Sequence, residues 1–314
     1  LELTVVSYDD LQESNSQAID TIQTALFGTG IVGISKVPHF YEKSLAFVNA
    51  ARQFTALNEE VKLQYAPDRD ALEIDGYEVG AEQFQNEFGQ WEADDKKVSY
   101  YTSIPANPKN VWPTEMDLRK PYLELSEIIF TTAKRLLDLI GLNDKLGISL
   151  KHVEGFGRML HYLKVEDTDV SNPNWCGAHY DHGIFTGLMP AYYFRDGELI
   201  SEPEEAGLYI IPTNGSTFEK VKAPDNSILL FQVGEFGQLV SNDKIRATKH
   251  VVKKAKGAIE RYAFALFINP FANTLIHSSS ELANDSRYQD NKLADGSILY
   301  SKWAEASFAR YRYK

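Results

Sequence analysis

"GAHYDHGIFTGL", residues 177–188, sets His179, Asp181 and His182 within four positions of a stretch that otherwise reads as a buried strand, with Ile184, Phe185 and Leu188 close behind. On a strand, side chains two apart share a face. His179 and Asp181 therefore point together, while Tyr180 and His182 turn the other way. One imidazole and one carboxylate on one face form two corners of a metal site, and a third ligand must come from another strand. A set of two His and one carboxylate with open positions is the arrangement of non-haem Fe(II) oxygenases. Alone, an H-x-D pair is a weak signal, equally at home as a hydrogen-bonded surface pair.

The rest of the chain supplies the context. From about residue 155 the apolar period changes from 3.6 to 2. RMLHYLKV (158–165), the stretch 177–188, GLYIIP (207–212), TFEKVKA (217–223), SILLFQVG (227–234), ATKHVV (247–252) and RYAFALFINP (261–270) read as strands separated by Gly, Asn, Asp and Pro clusters. This predicts an antiparallel sandwich or barrel. Before it, residues 16–27, 41–57 and 115–142 carry helical stripes, and IVGIS (31–35) reads as a short buried strand. Thr114 is a candidate cap for the third helix, and Pro121 kinks it or marks its true start. Residues 298–311 close the chain as an amphipathic helix. The expected organisation is one unit over 1–314. A mixed helix-and-strand region (1–150) packs on a β core (151–275), followed by a C-terminal extension with a helix (276–314).

Composition bounds the function. Hydrophobic residues make up 43% of the 314 and charged residues 24%, enough for a sizeable core. The net charge is −12, and the only basic run is Lys253, Lys254 and Lys256 before Gly257, which reads as a solvated turn. A nucleic-acid partner is therefore not expected. No stretch approaches 18 apolar residues and the opening LELTVVSYDD lacks a basic region followed by an apolar run, so neither a membrane span nor a signal peptide is expected. The single cysteine, Cys176, allows no intramolecular disulfide and favours a reducing compartment, hence the cytoplasm. Its reading is a semi-buried neutral thiol rather than a ligand.

Candidates for the third ligand are the other histidines. His39 and His277 lie in loop-like segments and His152 precedes the β core, whereas His161 and His250 sit on strands. The strand after His250 carries Arg261 in an otherwise apolar run. An inward arginine is costly unless it meets an anion, and a guanidinium beside a metal suits a carboxylate held bidentately.

With these residues on the page, the sequence resembles the iron(II)/2-oxoglutarate-dependent oxygenases, in the branch typified by isopenicillin N synthase. The resemblance runs nearly end to end. It covers GTGIVGISKVP (28–38), ARQFTALNEEVKLQYA (51–66), SIPANPKNVWP (103–113), the 177–188 stretch, GEFGQLVSNDKIRATKHVV (234–252), RYAFALFINP and the terminal LYSKWAEASFARY (299–311).

The resemblance implies a double-stranded β-helix, or jelly roll, with flanking helices: mainly β with α. It implies Fe(II) held by His179, Asp181 and His250, and 2-oxoglutarate bound by Arg261 with Tyr162 as an additional donor. Dioxygen is then consumed in oxidising, in the first place hydroxylating, a small organic substrate. His182 is expected to be dispensable for the metal. Three departures are visible: Leu160 stands where the family has asparagine, Ala263 where it has a serine hydroxyl beside the arginine, and the His250–Arg261 connection is longer by about one residue. Ala263 keeps open a same-fold oxidase that needs no 2-oxoglutarate. A catalytically silent small-molecule-binding protein is the rival from another class. Tyr77, Tyr100, Tyr101, Phe185 and Tyr193 are candidates to line a substrate pocket or simply to pack.

Overall fold

The computed structural model of the protein describes residues 1–68, 71, 73–80, 82–85, 89–93, 95–141, 153–165 and 173–310. Leu142, His152 and Tyr311, which the sequence reading touches, lie outside these. Among the described residues, six strands precede the β core: β1 (Val5–Ser7), β2 (Ile31–Ser35), β3 (Gly76–Val79), β4 (Gln83–Gln85), β5 (Trp91–Ala93) and β6 (Lys97–Ile104). The core follows as β7 (Val153–Tyr162), β8 (Asn174–His179), β9 (Phe185–Arg195), β10 (Glu198–Ile200), β11 (Gly207–Ile210), β12 (Glu219–Lys220), β13 (Leu229–Val233), β14 (His250–Lys253) and β15 (Ile259–Pro270).

Among the described residues, all of these strands except β4 and β5, which pair with each other, fall into two sheets, β10 pairing with β9 at the side of the larger. The larger has the order β1-β2-β13-β9-β15-β7-β6-β3, and the smaller β12-β11-β14-β8. The chain alternates between them: β7, β9, β13 and β15 in one, β8, β11, β12 and β14 in the other. That alternation is a double-stranded β-helix. Strands of the first hundred residues extend both ends of the larger sheet, so the N-terminal region joins the sheet as well as packing on it.

The period-2 pattern of β15 explains the layering. Tyr262, Phe264, Leu266 and Ile268 face one way, into the main core. Ala263 and Ala265 face the other, toward the interior between the sheets. On the outer face lie the helices Phe40–Thr55 and Arg119–Leu139. Phe264 meets Phe47 at 4.9 Å and Tyr122 at 5.0 Å, both edge-on, which pins the two helices to the sheet. The third helix starts at Arg119, so Pro121 sits in its first turn, where its missing N–H costs nothing. Thr114 does not cap it; Asp117 Oδ1 accepts from the Lys120 N–H instead.

The stretch 177–188 is not one strand. β8 ends at His179, a turn spans residues 180–184, and β9 begins at Phe185. Among the described residues, no helix is long and apolar enough to cross a membrane.

Phe264→Ala removes a fully buried ring at the helix–sheet junction. Chemical denaturation should show a loss of about 3–5 kcal/mol; a loss below about 1 kcal/mol would mean the helices are not anchored there.

Candidate metal centre

Register brings the distant histidine home. His250 opens β14 and pairs directly with His179 at the end of β8. Opposed residues of antiparallel strands put their side chains on one face, and the two rings lie 4.1 Å apart. Asp181 lies just past the strand end, in the turn. Its Oδ1 is 3.6 Å from His179 Nε2 and 3.7 Å from His250 Nε2. The three donor atoms lie within 4.8 Å of one another, and this is the group able to hold a metal ion among the described residues.

Each partner of the triad is itself held. His179 Nδ1 donates to the Gly177 carbonyl at 2.8 Å, and His250 Nδ1 lies 3.1 Å from the Thr248 carbonyl. Both carbonyls are two residues upstream of their ring. A proton on each Nδ1 leaves both Nε2 lone pairs for a metal. Asp181 Oδ2 accepts from Thr186 Oγ1 at 2.6 Å, and Gln232 Nε2 reaches it at 3.4 Å. The same Gln232 amide lies 2.7 Å from His250 Nδ1. A metal on Nε2 requires that amide to turn its oxygen toward the ring.

The turn carrying Asp181 is clamped by the chain entering the helix Glu235–Val240. The N–H of Glu235 donates to the Asp181 carbonyl at 2.8 Å. A Cβ on Gly234 would sit 2.2 Å from the Gly183 carbonyl oxygen, so no larger residue allows this approach.

Charges are poised by these contacts. Burial alone would raise the Asp181 carboxyl, but His250, His179 and Thr186 outweigh it and hold it well below the usual carboxylate range. Burial pushes His250 down to about 4, helped by charge on His179. Burial also opposes charge on His179, yet Cys176 and Asp181 overcome it and raise this imidazole above its ordinary value.

His182 turns away from the triad. Its Nδ1 is 3.7 Å from Glu235 Oε2, and its ring meets Phe308 edge-on at 5.0 Å. Cys176 is buried, with Sγ 3.5 Å from Lys97 Nζ and 3.8 Å from His179 Nδ1, and stands outside the triad. The other histidines are elsewhere: His161 bonds Glu260 at 3.0 Å on the opposite face of β7, and His39 and His277 are exposed.

The triad opens into a cavity of about 400 Å³. Arg261 lies on its wall, buried, at the same level as Tyr162 on β7 and Tyr193 on β9. Its guanidinium sits over the Tyr162 ring at 4.7 Å, and Nε donates to Tyr193 Oη at 3.2 Å. Nη1 and Nη2 have no hydrogen-bond partner among the described residues. Tyr162 thus touches Arg261 through its ring face.

Sequence reading misses Thr186, Gln232 and a second charged group on the cavity wall. There Arg158 Nη2 meets Glu82 at 2.9 Å and Lys97 meets the same carboxylate at 3.3 Å. A polar residue in a strand core is the only signal available. Of the candidate pocket aromatics, Tyr77 and Tyr100 pack around Phe54, Phe185 packs on Phe231, and Tyr101 stacks on Phe156. Tyr193 packs beside Trp175 and reaches Arg261 through its hydroxyl.

No protein-family model matches the sequence, and no curated protein matches it. Solved structures do. A protein of Caulobacter crescentus described as belonging to the 2OG-Fe(II) oxygenase family superposes with a TM-score of 0.73 at 18% identity, over 98% of both chains. A full-length protein of Neurospora crassa, in complex with alpha-KG, gives 0.73 at 21% identity, over 98% of this chain and 96% of that one. Dioxygenase for auxin oxidation 1 of Arabidopsis thaliana, in a binary complex with 2-oxoglutarate, gives 0.65 at 16% identity, over 91% and 97%. At these identities the likeness establishes a shared fold.

Two measurements probe the centre. Divalent metal titrated into the metal-free protein should bind once per chain; Asp181→Ala should abolish binding, whereas His182→Ala should stay within about tenfold of the parent. Complete loss in the His182 variant would mean the ligands are miscounted. Metal binding should also be coupled to proton release, because the His179 value is raised in the metal-free protein, chiefly by Cys176 and Asp181 against burial, and the imidazole must be neutral to bind. Affinity should then rise by about tenfold per pH unit until the raised His179 value is passed. Calorimetry in two buffers of different ionisation heat reads the proton count, and zero protons released would contradict this electrostatic account.

Proposed function

We propose that this chain is a non-haem Fe(II) oxygenase that couples decarboxylation of 2-oxoglutarate to oxidation, in the first place hydroxylation, of a small organic substrate. One observation carries the reading: His179, Asp181 and His250 converge on a cavity that Arg261 also lines, and among the described residues the amino groups of Arg261 have no hydrogen-bond partner. Three such ligands leave metal positions open for a co-substrate and dioxygen. A buried guanidinium is stabilised by an anionic ligand, and its planar fork matches a carboxylate. The fold shared with the Neurospora protein in complex with alpha-KG and with the Arabidopsis dioxygenase in complex with 2-oxoglutarate supports the same assignment.

In this reading His179, Asp181 and His250 hold the iron. The Gly177 and Thr248 carbonyls fix the two imidazoles, and Thr186 fixes the carboxylate. Arg261 pairs with the distal carboxylate of 2-oxoglutarate, with Tyr162 as an additional donor from the next strand. Iron(II) with 2-oxoglutarate and dioxygen supplies an oxidant able to take hydrogen from a C–H bond, with succinate and carbon dioxide as co-products. The protein contributes position and dryness: Leu160, Leu188, Val252, Ala263 and Phe267 line the cavity around the polar groups. A volume of about 400 Å³ suits a small molecule. The Neurospora protein has also been crystallised with alpha-KG and thymine, which illustrates the size of substrate such a cavity takes. The cytoplasm is the compartment proposed, from the single buried cysteine.

The test is calorimetric titration of 2-oxoglutarate into the anaerobic, iron-loaded protein, paired with iron-dependent succinate formation. Arg261→Ala should weaken binding by about 10- to 100-fold, since a hydrogen bond to a charged group contributes roughly 1.5–3 kcal/mol. Arg261→Lys should recover only part, because the fork is lost. Iron binding without any 2-oxoglutarate binding would favour the same-fold oxidase that Ala263 keeps open.

A further inference from the structure

Ala263 removes the hydroxyl that the family resemblance leads one to expect beside Arg261. We infer that Tyr193 is a positioning residue for Arg261, holding its guanidinium by the Nε so that the fork is presented to the cavity for the distal carboxylate of the co-substrate. The inference rests on the proposed use of 2-oxoglutarate.

The geometry is specific. Tyr162, Arg261 and Tyr193 are direct cross-strand neighbours on β7, β15 and β9. They form one row across three strands, with Arg261 in the middle. Tyr162 lies under the guanidinium plane at 4.7 Å and restrains its tilt. Tyr193 Oη accepts from Nε at 3.2 Å and restrains rotation in the plane. Together they restrain the fork in tilt and in rotation.

The Tyr193 hydroxyl is itself oriented. It donates its proton to Glu202 Oε2 at 2.9 Å. Its lone pairs are thereby turned to Arg261. Burial raises the pKa of this phenol, so it stays neutral and keeps the proton that Glu202 accepts. Glu202 is fixed in turn by Lys220, whose Nζ lies 2.9 Å from Oε1 and also donates to the carbonyls of Pro203 and Glu204. Room for that carboxylate is made by Gly207, which has φ +109°; a Cβ there would lie 2.9 Å from the Glu202 carboxyl atoms. A chain thus runs from Lys220 through Glu202 and Tyr193 to Arg261. A serine two residues along β15 would act on the co-substrate from the arginine's own strand. Tyr193 acts on the arginine from the neighbouring strand.

Anaerobic calorimetry on the iron-loaded protein tests this, with two probes: 2-oxoglutarate, and 2-oxopentanoate, which has the same chain length but no distal carboxylate. Tyr193→Phe should weaken 2-oxoglutarate by about tenfold, the scale of one charge-assisted hydrogen bond, and leave 2-oxopentanoate unchanged. Glu202→Ala, which frees the hydroxyl to rotate, should give the same selective loss at smaller size. Equal losses for both keto acids would indicate a merely structural role and overturn the inference. So would 2-oxoglutarate binding that depends on Arg261 but ignores both variants. Failure of the parent protein to bind 2-oxoglutarate at all would instead remove the co-substrate reading, and the role of Tyr193 with it.

Discussion

Everything at the centre depends on one pairing, His250 against His179 across β14 and β8. Side chains of a β-pair alternate with period 2, so a slip of one residue would turn His250 to the opposite face and open the triad. The register is bounded by β11 on the other side of β14, where His250 also pairs with Ile210. The small sheet therefore fixes the two imidazoles as a unit. Asp181 needs a different device, because it lies beyond the strand end. The turn is held by backbone contacts to the start of the helix Glu235–Val240 and by the close glycine approach of Gly183 and Gly234.

That helix links the site to the far end of the chain. The Glu235 carboxylate is bound by Arg287, at 2.9 Å between Oε1 and Nη2. Arg287 lies over the Trp303 ring at 4.2 Å and donates to Ser307, both on the C-terminal helix Tyr300–Phe308. Buried ion pairs of this kind contribute little net stability, since desolvation offsets attraction. Their value is geometric. Losing one partner would leave the other charged and buried beside the Asp181 turn, so the C-terminal helix bears on the shape of the metal centre without touching it. His182 is part of this outer cluster, which accounts for a histidine one position from the triad that faces Glu235.

The cavity walls carry a second charged group, Glu82 with Arg158 and Lys97, on strands β6 and β7 and the residue before β4. Burial would raise Glu82, but Arg158 and then Lys97 hold it far below the usual carboxylate range, so it stays charged. The interior between the sheets thus carries paired ions in apolar surroundings, and Arg261 lines the same cavity. Low local dielectric makes such groups effective at orienting a charged ligand.

Much of this is written locally. The change of apolar period near residue 155 gives the β core, because alternation is a property of each strand by itself. The strands at 31–35, 207–212, 227–234 and 261–270 and the helices at 16–27 and 41–57 are legible within a few residues for the same reason. H-x-D at 179–181 names two chemical groups that fall together under almost any extended conformation. The reading fails where neighbours in space are needed. It runs a strand through residues 180–184, because the apolar pattern continues there and only packing of Gly183 on Gly234 reveals the turn. It places the cap of the third helix at Thr114, whereas Asp117 accepts the first-turn N–H; both are capping types, and only the folded backbone decides which one faces the helix. The residues alone leave His161 and His250 as alternatives, and pairing across strands places His250 opposite His179 and turns His161 away. Thr186, Gln232 and the Glu82 cluster offer locally no more than a polar residue in an apolar run, and Tyr193 no more than an aromatic that could equally pack. Their roles come from register between strands far apart in sequence, and register is fixed only when all the strands pack at once.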